Sequence, residues 1–291
     1  MSLWYCAALF FSLAQPAFAR TLDEEILRLR AAGFETVESA RSSDLSVLHL
    51  HRKEGGTSRI LVYSSEKNAR GRAGQAKLLH FNTFMSGVRL ASIHSAGKIP
   101  DIAGDGASII AYVYSYSGID QESLVLLRFK DGRLSPVGKP LPFAQFLDVN
   151  KDGRLEIVSK ENPLGPLFVL QCDSFFVPPR AAVRTRIFRL AKGGRLEDIS
   201  KGLPSFYKEQ EAELEARLHA EDPMKTGRYG EYLGTALSLY YDAEMSGRKK
   251  SGFDRLKKTL APPKNMPRKA QDCFQEMSLT LRKKLSIPAD W

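Results

Sequence analysis

Residues 148–156 read Asp148-Val149-Asn150-Lys151-Asp152-Gly153-Arg154-Leu155-Glu156, and this short stretch decides how the rest of the chain is read. Oxygen-bearing side chains recur at positions one, three, five and nine, and a glycine at position six permits a sharp reversal. A hard cation that takes about 6 to 8 oxygens is served by this pattern, with calcium the natural guest and Arg154 contributing its backbone carbonyl. An EF-hand is excluded, because its twelfth position would need a bidentate Glu and is Ser159, and the residues after the loop have the texture of a strand. The bland alternative is a solvated turn, in which Asp, Asn and Gly serve the backbone alone. Forty-seven residues upstream, Asp101-Ile102-Ala103-Gly104-Asp105-Gly106 keeps positions one, five and six of the same pattern. Ala103 and Ile109 stand at positions three and nine, so this weak second copy, Asp101 and Asp105, is expected to hold an ion poorly or not at all.

Working outward, short apolar or alternating runs punctuated by glycine cover 47–50, 60–63, 109–114, 124–129, 155–158, 167–170 and 186–190. Runs of that length predict β-strands in antiparallel meanders. Residues 64–76 carry basic groups, Ser, Asn and Gly, and read as an exposed loop. A hairpin-like unit recurs as Leu79, Phe81, Gly87, Leu90, Ile93; as Leu127, Phe129, Gly132, Leu134, Val137; and as Phe188, Leu190, Gly194, Leu196, Ile199. Its glycines lie 45 and 62 residues apart, about one propeller blade with one insertion.

These residues resemble the bacterial FG-GAP or VCBS-type repeats, related to the integrin-alpha β-propeller, in which an acidic loop of the form Asp-x-Asp/Asn-x-Asp-Gly-x-x-Asp/Glu precedes a strand. The match falls on Asp148, Asn150, Asp152, Gly153 and Glu156 and covers roughly residues 80–200. It implies that each acidic loop opens its own meander and that a bound cation there is structural. About three units can be counted, fewer than the four or more blades of a closed propeller, so a partial or irregular propeller-like assembly is expected.

The ends of the chain complete the organisation. Residues 3–14 are apolar or small and uncharged, and Ala17-Phe18-Ala19 has the small-x-small form of a cleavage site, so 1–19 reads as a secretion signal. The apolar run is shorter than the ~20 residues that span a bilayer. A periplasmic or extracellular location follows. Thr21 and Glu24 form a capping box ahead of Leu22, Ile26 and Leu29, which predicts a short amphipathic helix within an N-terminal helix and linker, 20–44. A β-repeat domain is expected over 45–204 and a basic helical module over 205–291. The fold class is therefore α+β: antiparallel meander repeats followed by a small C-terminal helical module of three or four helices.

Without the signal, two cysteines remain, Cys172 and Cys273. Paired, they would close a loop of 101 residues, which chain entropy values at about 4.7 kcal/mol; unpaired, they would be two buried thiols. The net charge is +10, and residues 245–291 hold twelve Lys/Arg against four acids. Such a module attracts anionic lipid headgroups or an envelope component, or merely solvates its own helix faces; nucleic acid is disfavoured for an exported chain. His49 and His51 share one face of a strand and could form half a zinc site, with His80 and His94 unplaced. No nucleophile elbow or phosphate loop occurs. The function expected is that of an exported, non-enzymatic interaction or structural protein. A periplasmic hydrolase with no recognisable motif is the competing class.

Overall fold

The computed structural model describes residues 20–67, 73–85, 87–115, 122–165, 168–172, 175–177, 182–220, 229–259, 261 and 268–288. The proposed signal, 1–19, lies outside the described residues.

The chain opens with helix α1 (Leu22–Ala31), whose capping box forms as expected. Glu24 N–H donates to Thr21 Oγ1 at 3.3 Å, and Thr21 N–H donates to Glu24 Oε2 at 2.7 Å. Three antiparallel sheets follow. The first consists of β1 (Phe34–Arg41), β2 (Leu45–Arg52), β3 (Thr57–Lys67) and β4 (Ala73–Phe84) in sequential order. The second is β5 (Val88–Leu90), β6 (Ser108–Ser115), β7 (Glu122–Lys130) and β8 (Arg133–Pro136), with β9 (Leu141–Pro142) rejoining β7. The third is β10 (Gln145–Leu147), β11 (Glu156–Glu161), β14 (Arg184–Ala191) and β15 (Arg195–Asp198). Between β11 and β14 a small hairpin, β12 (Leu170–Cys172) and β13 (Phe175–Val177), is inserted.

The sheets share their cores in sequence. Val47, Ile60 and Val62 of the first sheet pack with Ile110, Tyr112, Leu127 and Phe129 of the second. The opposite face of the second, through Ile109, Ala111, Leu124 and Leu126, packs with Ile157, Phe188 and Leu190 of the third. Strands covered on both faces need apolar side chains at consecutive positions, which is why 45–50 and 109–113 are buried almost without alternation. The two outer faces are closed by helices. Leu29, with Leu22 and Ile26 alongside, covers Leu48, Leu50 and Leu61, while Tyr207 of α2 (Pro204–Ala220) covers Val158 and Ile187. Helices α3 (Tyr229–Met245), α4 (Lys249–Thr259) and α5 (Arg268–Lys284) bury Leu237, Tyr240, Phe253, Leu256, Met277 and Leu281 in a core of their own, which also takes Leu170 of β12. The molecule is thus α+β with meander-like sheets and a C-terminal helical region. No closed propeller is present among the described residues.

Several local expectations change. Residues 34–41, read as linker, form β1; a charged, mostly exposed pattern hides it, with only Phe34 and Ala40 fully buried. The loop expected over 64–76 is shorter, because β3 runs to Lys67 and β4 starts at Ala73. The first hairpin-like unit is mis-framed: Gly87 joins β4 to β5, which belong to different sheets, and is not a hairpin turn. Of the run 167–170, Leu167 lies outside the described residues, and among the rest only Leu170 joins a strand, in the inserted hairpin.

Candidate functional site

Each acidic loop sits between the three-residue first strand of its sheet and the longer strand that follows, β5 and β6 or β10 and β11, and the two have one hydrogen-bond plan. In the third sheet Asp148 accepts from the N–H groups of Asp152 (Oδ1, 3.0 Å) and Gly153 (Oδ2, 2.9 Å), and Asp152 accepts from Arg154 N–H (Oδ1, 2.9 Å). In the second sheet Asp101 accepts from Asp105 (Oδ1, 3.3 Å) and Gly106 (Oδ2, 2.7 Å), and Asp105 accepts from Ala107 N–H (Oδ1, 3.1 Å). The fourth and sixth positions are left-handed in both loops: Gly104 and Gly106 have φ of 66° and 78°, Lys151 and Gly153 of 60° and 82°. Only glycine takes this conformation without a steric cost. An arginine then stands across the ladder from position nine in each. Ile109 pairs with Arg128, and Arg189 sits one residue beyond the Ile157–Phe188 pair, facing Glu156.

Position nine decides what that arginine does. Ile109 is fully buried and offers it nothing, so Arg128 Nη2 reaches Asp105 Oδ2 at 2.8 Å. The same oxygen accepts from Gly193 N–H at 2.8 Å, in the β14–β15 turn of the next sheet. Asp105 therefore staples the second sheet to the third, and the Gly193 N–H followed by the Arg128 guanidinium holds its carboxyl down at about 2. Gly194 makes room for this contact: an added Cβ would lie 2.6 Å from Arg128 Cδ. Glu156, also fully buried, instead takes Arg189 at 2.7 Å and accepts from Val149 N–H at 3.1 Å. Asp152 is left 3.7 Å from Arg189, with Asn150 Nδ2 donating to it at 2.9 Å. That amide and the Arg154 N–H lower its carboxyl below the usual range.

Of the residues expected to ligate an ion, Asp148, Asn150 and Asp152 are joined by hydrogen bonds. Oδ1 of Asp148 and Oδ1 of Asn150 converge on the Asp152 N–H, at 3.0 and 3.3 Å, while Glu156 is committed to Arg189. Asp148, Asn150, Asp152 and the Arg154 carbonyl are the groups that would hold a hard cation in this loop. Asp101 and Asp105 are occupied by backbone N–H groups and Arg128.

A comparable staple joins the first sheet to the second. Glu38, at the β1 bulge, accepts from Leu90 N–H at 2.7 Å and meets His49 Nδ1 at 2.8 Å. The other three histidines of the sheet region have separate partners. His51 meets Ser58, His80 meets Tyr112, and His94 is fixed between Lys98 O and Ala111 N–H. Among the described residues there is no group of three or more His, Cys, Asp or Glu side chains that could hold a metal ion.

In the helical region, Cys273 is buried on α5 against β12, the strand that ends at Cys172, and it is not a free thiol. Four of the twelve basic residues pair with acids. Arg248 pairs with Glu211, Lys249 with Glu244 at 3.0 Å, Arg255 with Glu215 at 2.7 Å, and Lys257 with Asp254 at 2.9 Å. Asp242 of α3 is 2 % exposed and its Oδ1 lacks a hydrogen-bond partner. Burial, then the Glu211 charge, pushes its carboxyl up to about 8. It does not line the inter-sheet cavity described below, so the strongest proton-holding group and that cavity do not meet.

Comparison with protein-family models, with curated proteins and with solved structures gives no match in any of the three.

Proposed function

We propose that this chain is an exported, non-enzymatic interaction protein, periplasmic or extracellular, built on an FG-GAP/VCBS-like repeat module in a partial, propeller-like row. The observation that supports it best is the shared plan of the two acidic loops. Asp at positions one and five, left-handed residues at four and six, and an arginine opposite position nine recur in two sheets of the same strand order. Unrelated turns have no reason to repeat a cross-strand arginine as well as a loop.

In this reading Asp148, Asn150, Asp152, the Arg154 carbonyl and Glu156 form a weak structural calcium site, and Cys172 pairs with Cys273. The partner is a protein or envelope component. Lys250, Lys258, Lys269, Lys283 and Lys284, which have no salt bridge among the described residues, supply attraction to anionic headgroups. Calorimetric titration tests the ion site: wild type should take up calcium at millimolar levels with about one site, and Asp148→Ala should abolish the heat. Equal heats, or none in either protein, would remove calcium from the proposal. Co-sedimentation with phosphatidylglycerol vesicles, compared with phosphatidylcholine, tests the basic module. Charge reversal of Lys283 and Lys284 should release the protein from the former.

A further inference from the structure

A cavity of about 580 Å³ lies between the edges of the first and second sheets. One wall runs from Pro136 to Pro140, the link between β8 and β9 along β7, in which Val137 N–H still donates to Leu126 O at 2.9 Å, together with Val125–Leu127. The facing wall is β4, an edge strand, with His80, Asn82 and Phe84, and the floor is Tyr112 and Tyr114 of β6.

We infer that this cleft binds a small organic anion with a flat or apolar body. Its volume suits a ligand of drug-like size, and apolar walls with a few convergent polar groups are the usual make-up of such sites. Phe84 stands edge-on to Tyr112 at 5.9 Å and tilts against Tyr114 at 5.4 Å, giving an aromatic corner of fixed shape. The polar groups are placed as well. Tyr112 lies 3.3 Å from His80 Nε2 and accepts from Asn82 Nδ2 at 3.4 Å. Burial favours neutral His80 and un-ionised Tyr112, so the hydroxyl can donate to the imidazole while accepting from Asn82, and the floor carries no negative charge to oppose an anion. The charge at the rim has one sign. Lys139 is exposed and forms no ion pair among the described residues, and no Asp or Glu belongs to the described lining. An ammonium without a counter-ion beside an acid-free aromatic cleft favours an anionic headgroup over a cationic one. The inference does not depend on the repeat reading, because none of these residues lies in an acidic loop.

The test uses the full chain and two probes, 1-anilinonaphthalene-8-sulfonate and its uncharged relative N-phenyl-1-naphthylamine, followed by fluorescence. The sulfonate should bind saturably at one site. Lys139→Glu should weaken it at least tenfold while leaving the uncharged probe unchanged, and Phe84→Ala should weaken both. Leu27→Ala, on the exposed face of α1, should alter neither. Unsaturable binding, or a sulfonate affinity unmoved by Lys139→Glu, overturns the site. An equal loss of both probes in Lys139→Glu overturns the anionic class. Lys139 is at the surface, so this variant reports on binding even if Phe84→Ala fails to fold.

Discussion

The loops at 101–106 and 148–153 begin from the same backbone and finish with different tasks. In the second sheet an isoleucine at position nine frees the arginine, which turns to Asp105, and that carboxylate then reaches the following sheet. In the third sheet a glutamate at position nine captures the arginine below the loop, and Asp152 is left near solvent. A single buried position therefore chooses between an inter-sheet staple and an open cluster of oxygens. The third sheet has no fourth to hold, since α2 covers its outer face.

The largest test exchanges that position. Glu156→Ala leaves Val149 N–H and Arg189 without their partner and should cost about 3–5 kcal/mol in chemical denaturation, as breaking a buried pair does. Glu156→Ile, which copies Ile109, frees Arg189 for Asp152 just as the alanine does but also fills the vacated space, so it should lose clearly less. If adding Asp152→Asn to Glu156→Ile costs no more than Asp152→Asn alone, Arg189 has not moved to Asp152 and position nine does not direct the arginine.

Next is Asp105→Asn, which weakens the contacts to Arg128 and Gly193 and should cost about 2 kcal/mol at neutral pH, the scale of hydrogen bonds to a charged group. The sign with pH is set by a folded value near 2 against an unfolded one of about 3.9. The stabilisation is complete above the unfolded value and fades as pH falls towards 2, so wild type and variant should converge in acid. A gap that persists at pH 2 would assign the loss to packing.

A smaller effect separates the two hairpin glycines. Gly132→Ala and Gly194→Ala both place a side chain at positive φ, costing about 1–2 kcal/mol. Only Gly194→Ala also pushes against Arg128, whereas Gly132 faces open space, so its thermal midpoint should fall further. Asp152→Asn should move the midpoint least, because that carboxylate is exposed and holds no neighbouring sheet.

Much of the scaffold was legible from sequence. The capping box at Thr21 and Glu24, the doubly covered strands and the helical stripes at Cys273, Met277 and Leu281 are local patterns with a period. The acidic loops were legible because Asp and Gly at fixed offsets answer to backbone geometry. What escaped were choices made across distance. Arg128 and Arg189 lie 23 and 37 residues after Asp105 and Asp152, and no spacing rule links them. The bond from Arg189 to Glu156 was not legible because the burial of Glu156 against β14 depends on the strand beside it. β1 was missed because six of its eight residues are not fully buried, and the Gly87 unit was misread because flanking leucines do not reveal which sheet they enter.

The staples at Glu38 and Asp105 each run from one sheet to an N–H of its successor, Leu90 or Gly193. The rows are therefore keyed in order. Excising the middle sheet as a block would bring Glu38 against a surface without its acceptor-seeking amide and leave the Gly193 turn with no carboxylate. Swapping whole units, tolerated by arrays held together through uniform greasy interfaces, should fail in this molecule unless the key residues travel with their locks.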